Sequence, residues 1–358
     1  MENNILTLQI EPIDTLFFRD GKPFSMGDDS WADGILLPHP SVIYGSIRSW
    51  ILSNSENVTL ENVIEETGDV KILDLYYSLR GETVFPLPQI YGTKKEKGKD
   101  ILYEEQLSKK MEVERFSLIP NEYICSTHIP QLFYNEKQYV LEKPKNTFIT
   151  SANFVDFLKA SDQSNKTDSY FLGHEIEPKI GIKRTNETKA SEDGNLYRVG
   201  LNRLKDMKII VRVQSRHLST RFEKIMKLGG EGKITVINDF LIGKKGATRL
   251  RISTGLTSKK LLVYLATPAI FHNGEPDISK IVGVKATLKA TSVGKAQNIG
   301  GFDMKKKEPK PMYKAVPSGS IYLYELEEEI DFDTLQGVKI SDELAEQGFG
   351  IAYFGTFK

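Results

Sequence analysis

One order of elements occurs twice in this chain, and it constrains the fold more than any single motif. A strand-like stretch at 4–18, containing LTLQI, opens the first copy, and LLVYLATPAI (261–270) opens the second. Each copy later runs through a helical pattern, a glycine turn and a strand. In the first, Phe222, Ile225, Met226 and Leu228 predict a helix over 219–228, Gly229-Gly230 ends it, and ITVINDF follows. In the second, ISDELAEQ (340–347) with Ser341 as N-cap is the helix, Gly348-Phe349-Gly350 the stop and IAYFGTF the strand. The expectation is an α+β protein of two βαββαβ units, repeated by order rather than by identity. The joint is placed near 243–258, where the chain is polar and glycine-rich, giving domains 1–245 and 258–358.

Within the first unit, Leu8–Phe18 runs into a turn, Arg19-Asp20-Gly21-Lys22-Pro23-Phe24. Ser41 then caps a predicted helix Val42–Ser53, and a second, acidic surface helix is expected within 54–70. KILDLYYSL and TVFPLP form a hairpin about Gly81. Residues 93–175 read as a long insertion that begins with a charged, mobile loop (93–112). KIGIKRT and LYRVGLNRL, joined by the polar NETKASEDGN, form a second and basic hairpin (179–205), and MKIIVRV is the strand after it.

Composition narrows the class. The chain is 39% apolar and 10% aromatic, enough for packed cores. It has no run of 18 apolar residues, so no transmembrane helix is expected. MENNILTLQ lacks the basic-then-apolar order of a secretory signal. The single Cys125 excludes an internal disulfide and fits a reducing cytosol. Net charge is zero, which speaks against a simple nucleic-acid-binding domain, but the charge is segregated. Residues 179–260 hold roughly 20 Lys and Arg against about 7 Asp and Glu, and 282–320 roughly 8 against about 2, while 56–69 and 325–346 are acidic. A basic centre between acidic segments suits a polyanion on one face and a protein on another.

Sites for bond-breaking chemistry are sparse. Cys125 and His128 form one C-x-x-H pair without a second, so no metal and no cofactor are expected. LGGEGK (228–233) lacks phosphate-loop spacing; its glycines, like Gly300-Gly301 and Gly348/Gly350, either stop an element or admit a close backbone. Among His39, His128, His174, His217 and His272, His39 on its Pro-flanked turn is the candidate acid or base, with a structural turn histidine as the plainer reading. Basic residues with aromatics beside them stand out instead: Lys183, Arg184, Arg198, Arg203, Arg212, Arg216 and Arg221 in the centre, then Lys305, Lys306, Lys307, Lys310 and Lys314 in a glycine- and proline-rich loop. Phe17, Phe18, Phe24, Tyr197, Phe302 and Tyr313 are the candidate stacking rings for single-stranded RNA.

DTLFFRDGKPF and LPHPSVIYGSIRS resemble the amino terminus of the RAMP-superfamily subunit of type III-B CRISPR (Cmr) effector complexes that holds the 5′ end of the guide RNA. KIGIKRTNETKASEDGNLYRVG, LGGEGK, IGGFDMKKKEPKPMYKAVPSGSIYLYE and QGFGIAYFG fit the same family. The resemblance implies two ferredoxin-like (RRM-like) units facing each other across a cleft of glycine-rich turns. It implies a non-catalytic, cytoplasmic subunit that grips the guide-RNA (crRNA) 5′ tag, docks on the large polymerase-like subunit and touches the first backbone RAMP subunit. On its motifs Arg19, Lys22 and Arg48 are assigned to phosphate, with Lys183, Arg184 and Arg198 on the hairpin as a second set. Gly300, Gly301, Lys305, Lys306, Lys307 and Lys310 are the third. Two alternatives stay open: a RAMP endoribonuclease that processes guide precursors with His39 as acid or base, and a scaffold that binds only other proteins and no RNA.

Overall fold

The computed structural model describes residues 4–19, 31–32, 34–59, 61–94, 109–118, 129, 131–136, 138–160, 166–184, 191–238, 250–303 and 306–358. In chain order its first half holds β1 (Asn4–Pro12), α1 (Pro40–Asn54), α2 (Val63–Glu66), β2 (Lys71–Leu79), β3 (Glu82–Pro86), β4 (Lys109–Arg115), β5 (Thr147–Thr150), α3 (Ser151–Leu158), β6 (Lys166–Phe171), β7 (His174–Arg184), β8 (Ser191–Leu204), β9 (Met207–Ser215) and β10 (Ile234–Asn238). The second half holds β11 (Thr257–Leu265), α4 (Ile278–Val282), β12 (Ala286–Ser292), β13 (Gln297–Ile299), β14 (Phe302–Asp303), β15 (Glu308–Pro309), β16 (Tyr313–Ala315), β17 (Ile321–Asp331) and β18 (Ile351–Gly355). The protein is α+β, and its two main sheets are antiparallel.

Four strands of the first sheet lie in the order β2-β9-β1-β10, and four of the second in the order β12-β17-β11-β18. Numbered within each half, both orders are second, third, first, fourth. Alternation explains the first set. Leu6, Leu8 and Ile10 of β1 and Ile209, Val211 and Val213 of β9 are buried, and they face the apolar stripe Ile43, Ile47, Trp50 and Ile51 of α1. In β11 the run Leu261–Leu265 is buried throughout, because the second sheet is covered on both faces.

The insertion is a structural element in its own right. Of the loop expected at 93–112, residues 95–108 lie outside the described residues and 109–112 belong to β4. Strands β4, β5 and β6 extend the first sheet beyond β3, and α3 lies between the two sheets. Phe154 of α3 stacks on Phe85 of β3 at 4.3 Å between ring centroids and meets Tyr264 of β11 at 4.7 Å and Tyr353 of β18 at 5.5 Å. Several glycines set close approaches between the halves. A Cβ on Gly319 would stand 2.5 Å from the Leu87 carbonyl oxygen, one on Gly355 2.3 Å from that of Leu158, and one on Gly348 2.8 Å from the Ile72 side chain.

Several local expectations are corrected. No helix forms over 219–228. Ile225–Lys227 is an edge strand on β10, with Met226 inward and Ile225 and Lys227 outward. Four apolar residues at helical spacing are outweighed by tertiary contacts: Phe222 packs edge-on against Trp50, whose indole N–H donates to the Glu223 carbonyl. The predicted helix 340–347 is only a 3-10 turn, Ala345–Gln347, because the Ser341 hydroxyl accepts from the Ile270 amide and donates to the Glu343 carbonyl. In 54–70 the helix is the single turn α2. Helix α1 begins at Pro40 with His39 in the cap position, not Ser41; proline suits a first turn whose N–H is unused. The hairpin about Gly81 is as expected, with Arg80 and Gly81 both at positive φ.

Candidate nucleic-acid interface

Two β-ribbons carry most of the basic residues singled out in the sequence. The first is β7–β8, paired antiparallel from His174↔Leu204 to Arg184↔Ser191. Its inner face holds Val199 and Leu201 against Phe17, and Gly230 donates its amide to the Phe17 carbonyl at 2.9 Å. Much of the charge at its base is already paired: Lys179–Glu231 at 2.6 Å, Lys205–Glu175 at 3.1 Å, and Arg203 with both Glu177 and Asp14 at 2.5 and 2.8 Å. The neighbouring Arg212 and Arg216 pair with Asp74 and Glu66. The sequence count over residues 179–260 therefore overstates the field here, since Asp14, Glu66, Asp74, Glu175 and Glu177 come from outside that window.

Arg198 remains exposed on the other face of this ribbon, and its backbone pairs in parallel with Trp31. Arg19 lies nearby in chain topology: Leu16 bridges Asn202, and Phe18–Arg19 pairs with Gly34–Ile35. The fold thus brings the backbone segments of Arg19 and Arg198 to the same ribbon. Lys183 and Arg184 are on β7 towards its distal end, with side chains outside the described residues, as is Lys22 altogether. Arg48 belongs to neither ribbon. Its guanidinium donates to the Thr67 hydroxyl at 2.6 Å and the Val63 carbonyl at 3.1 Å, so it ties α1 to α2.

The second ribbon replaces the free loop expected after Gly300-Gly301. β13 pairs with β16 (Ile299↔Tyr313) and β14 with β15 (Phe302↔Pro309), around a turn that includes Lys306 and Lys307. Pro309 and Pro311 hide the strands from a propensity reading, but proline is admissible on a narrow ribbon's outer edge. Lys306, Lys307, Lys310 and Lys314 are all exposed; Lys305 lies outside the described residues. Among the described residues, Lys306 alone of these four has an ion pair, at 3.7 Å from Glu308. Gly301 lies against the Lys310 stem, and Gly300 against the Met312 thioether, where an added Cβ would come within 2.9 Å.

The candidate rings separate clearly. Phe17 and Phe18 are buried, and Tyr313 packs on the small core of Ile270, Ile299, Ala315 and Phe349. Phe24 and the Tyr197 side chain lie outside the described residues. Phe302 is 53% exposed.

Each described histidine has its own surroundings. Burial holds the His39 imidazole down to about 4, so it is neutral near pH 7 and a poor proton donor there. His217 meets Glu66 at 3.0 Å, His272 meets Glu343 at 3.2 Å, and His174 faces the Leu172 carbonyl. Cys125 and His128 lie outside the described residues, among which no cluster of metal-ligating groups occurs. No described helix is long and apolar enough to cross a membrane. His39 also makes a pH prediction. Unfolded, it titrates near 6.5; folded, near 4. The unfolded chain binds the extra proton between these values, so stability from this source is full above about pH 6.5 and is lost as pH falls towards 4. His39→Gln is expected to lose less stability than wild type between pH 7 and pH 5 in urea titrations; equal losses would refute the assignment.

No curated protein sequence matches this one. Among solved structures, a chain of the type III-B Cmr-beta complex bound to cognate target RNA matches with a TM-score of 0.50 at 16% identity, over 88% of this chain and 86% of that one. A chain of the same complex bound to cognate target RNA and AMPPnP gives 0.49 at 15% identity over the same shares. At 16% identity the match at a TM-score of 0.50 is a likeness of fold. The family described as CRISPR-associated protein (Cas_Cmr3) matches residues 8–357, nearly the whole sequence, and the chain therefore belongs to that family as a RAMP-type Cmr subunit.

Proposed function

We propose that this subunit is a non-catalytic RNA-binding protein, built from two ferredoxin-like units at 1–245 and 258–358, that holds the 5′ tag of the guide RNA in a cytoplasmic type III-B CRISPR antiviral ribonucleoprotein. It docks there on the large polymerase-like subunit and the first backbone subunit. The observation that carries the reading is the second ribbon, where Lys307, Lys310 and Lys314 are exposed on a projecting hairpin without ion pairs among the described residues. The repeated strand order supports two units, and the complex holding the matched chain is bound to target RNA. Ile176, Pro178 and Ile180, exposed on one face of β7, are an apolar stripe suited to a neighbouring protein.

Lysines meet phosphate as point charges, so Lys307→Ala, Lys310→Ala and Lys314→Ala together are expected to weaken guide-RNA binding without changing sequence preference. The log–log salt slope should flatten by up to about 2 if all three touch single-stranded phosphates. Titrations at several salt concentrations measure this, and superimposable curves would remove the ribbon as a contact. On a denaturing gel the same RNA should emerge uncut, with or without divalent metal; cleavage lost in His39→Ala would overturn the non-catalytic reading.

A further inference from the structure

We propose that Phe302 is the ribbon's base-stacking residue and that the ribbon takes an unpaired nucleotide of single-stranded RNA, not a duplex. This rests on the RNA-binding reading above and specifies its site.

Large aromatic side chains among the described residues are mostly sequestered. Trp50, Tyr91, Tyr264 and Tyr322 are fully buried, as are the phenylalanines of the cores. Tyr134 is 39% exposed, but its hydroxyl has a partner in Glu136. Phe302 stands more than half exposed with no polar group to hydrate, and its cross-strand partner Pro309 shares its face of the ribbon. That pair places two rings opposite each other on a two-stranded scaffold. A flat partner that covered this phenyl group would remove its exposed apolar area from water, a favourable transfer.

The surroundings select the occupant. Lys306 and Lys307 lie in the turn beyond Phe302. Lys310 follows Pro309, and its amide is tied to the Gly301 carbonyl at 2.9 Å. The two nearby carboxylates are engaged locally: Asp303 accepts the Lys306 amide, and Glu308 lies 3.7 Å from the Lys306 ammonium. An apolar ring amid an excess of lysines matches a ligand that alternates flat aromatic faces with anionic links, which is single-stranded nucleic acid. In a duplex the base faces are covered by their neighbours, so the ring would find only backbone. Every base has a π-face, so the contact carries no sequence preference.

The test measures the full chain, alone and assembled, with an unpaired RNA of tag length and a blunt RNA duplex. Phe302→Ala and Phe302→Leu are each expected to weaken unpaired RNA by about 5- to 150-fold, while Phe302→Trp holds or tightens it. Duplex binding should not change. The fluorescence of the tryptophan introduced by Phe302→Trp, taken as the difference from wild type with its Trp31 and Trp50, should be quenched by unpaired RNA alone. If Phe302→Leu binds like wild type, or duplex suffers equally, stacking is wrong. If Phe302→Ala impairs only assembly with other subunits, the ring is a protein contact and the proposal falls. The lysine substitutions separate the two levels: loss of affinity on removing lysines with no effect at Phe302 keeps RNA binding and rejects stacking.

Discussion

Phe154→Ala is expected to cost about 3–5 kcal/mol of unfolding free energy, the range for truncating a fully buried phenylalanine. Phe154 is 0% exposed at the junction of the two sheets. It stacks with Phe85 of the first and packs against Tyr264 and Tyr353 of the second. Phe85 also meets Tyr353 edge-on at 5.3 Å, and the Tyr264 hydroxyl donates to the Pro86 carbonyl. These held neighbours limit collapse into the cavity, which places the cost towards the upper end. Phe154→Leu keeps most of the volume and should cost less than about 1.5 kcal/mol. Urea denaturation followed by circular dichroism measures both. A loss under about 1 kcal/mol for the alanine variant, far below the usual cost of such a truncation, would mean that the halves are held together elsewhere.

The second large effect is expected at Gly319. Its φ is +80°, and a Cβ would stand 2.5 Å from the Leu87 carbonyl oxygen, beside the bond from the Gln89 amide to the Gly319 carbonyl. Gly319→Ala combines left-handed strain of about 1–2 kcal/mol with a backbone clash that overpacking data place at about 1–3 kcal/mol. The two together predict a loss of roughly 2–5 kcal/mol. Gly81 is the internal control. Its φ is +84°, but no atom lies within 4 Å of the added Cβ, so Gly81→Ala should show only the strain. Denaturant midpoints of the two variants decide the matter: equal losses would show that the approach of the two halves at Gly319 can relax.

Other glycines show what a sequence can and cannot convey. Gly229, Gly348 and Gly350 are legible as turns, and each has positive φ. What each turn faces is not legible. Gly229 faces Phe17 and Gly348 faces Ile72, contacts between segments far apart in the chain, while Gly350 faces Ser341 across its own turn. Gly300 and Gly301 face side chains of their own ribbon.

Alternation of apolar and polar residues marks β1 and β9, because a pleated strand with one buried face writes period two into its own residues, while the second sheet's strands β11 and β18 are marked by short continuous apolar runs buried on both faces. It also determined the hairpins about Gly81 and at 179–205. Tertiary structure alone decided the rest. Residues 219–228 have a helical period, yet no helix forms there and Ile225–Lys227 becomes a strand, since pairing with β10 and the contact with Trp50 outweigh a marginal local preference. Basic residues are legible as residues. Which of them are paired depends on carboxylates brought in by the fold, as Asp14, Glu66 and Asp74 are for Arg203, Arg216 and Arg212. Phe17, Phe18, Phe302 and Tyr313 are equal candidates in one dimension, and burial distinguishes them only after packing, because exposure is a property of neighbours and not of the residue.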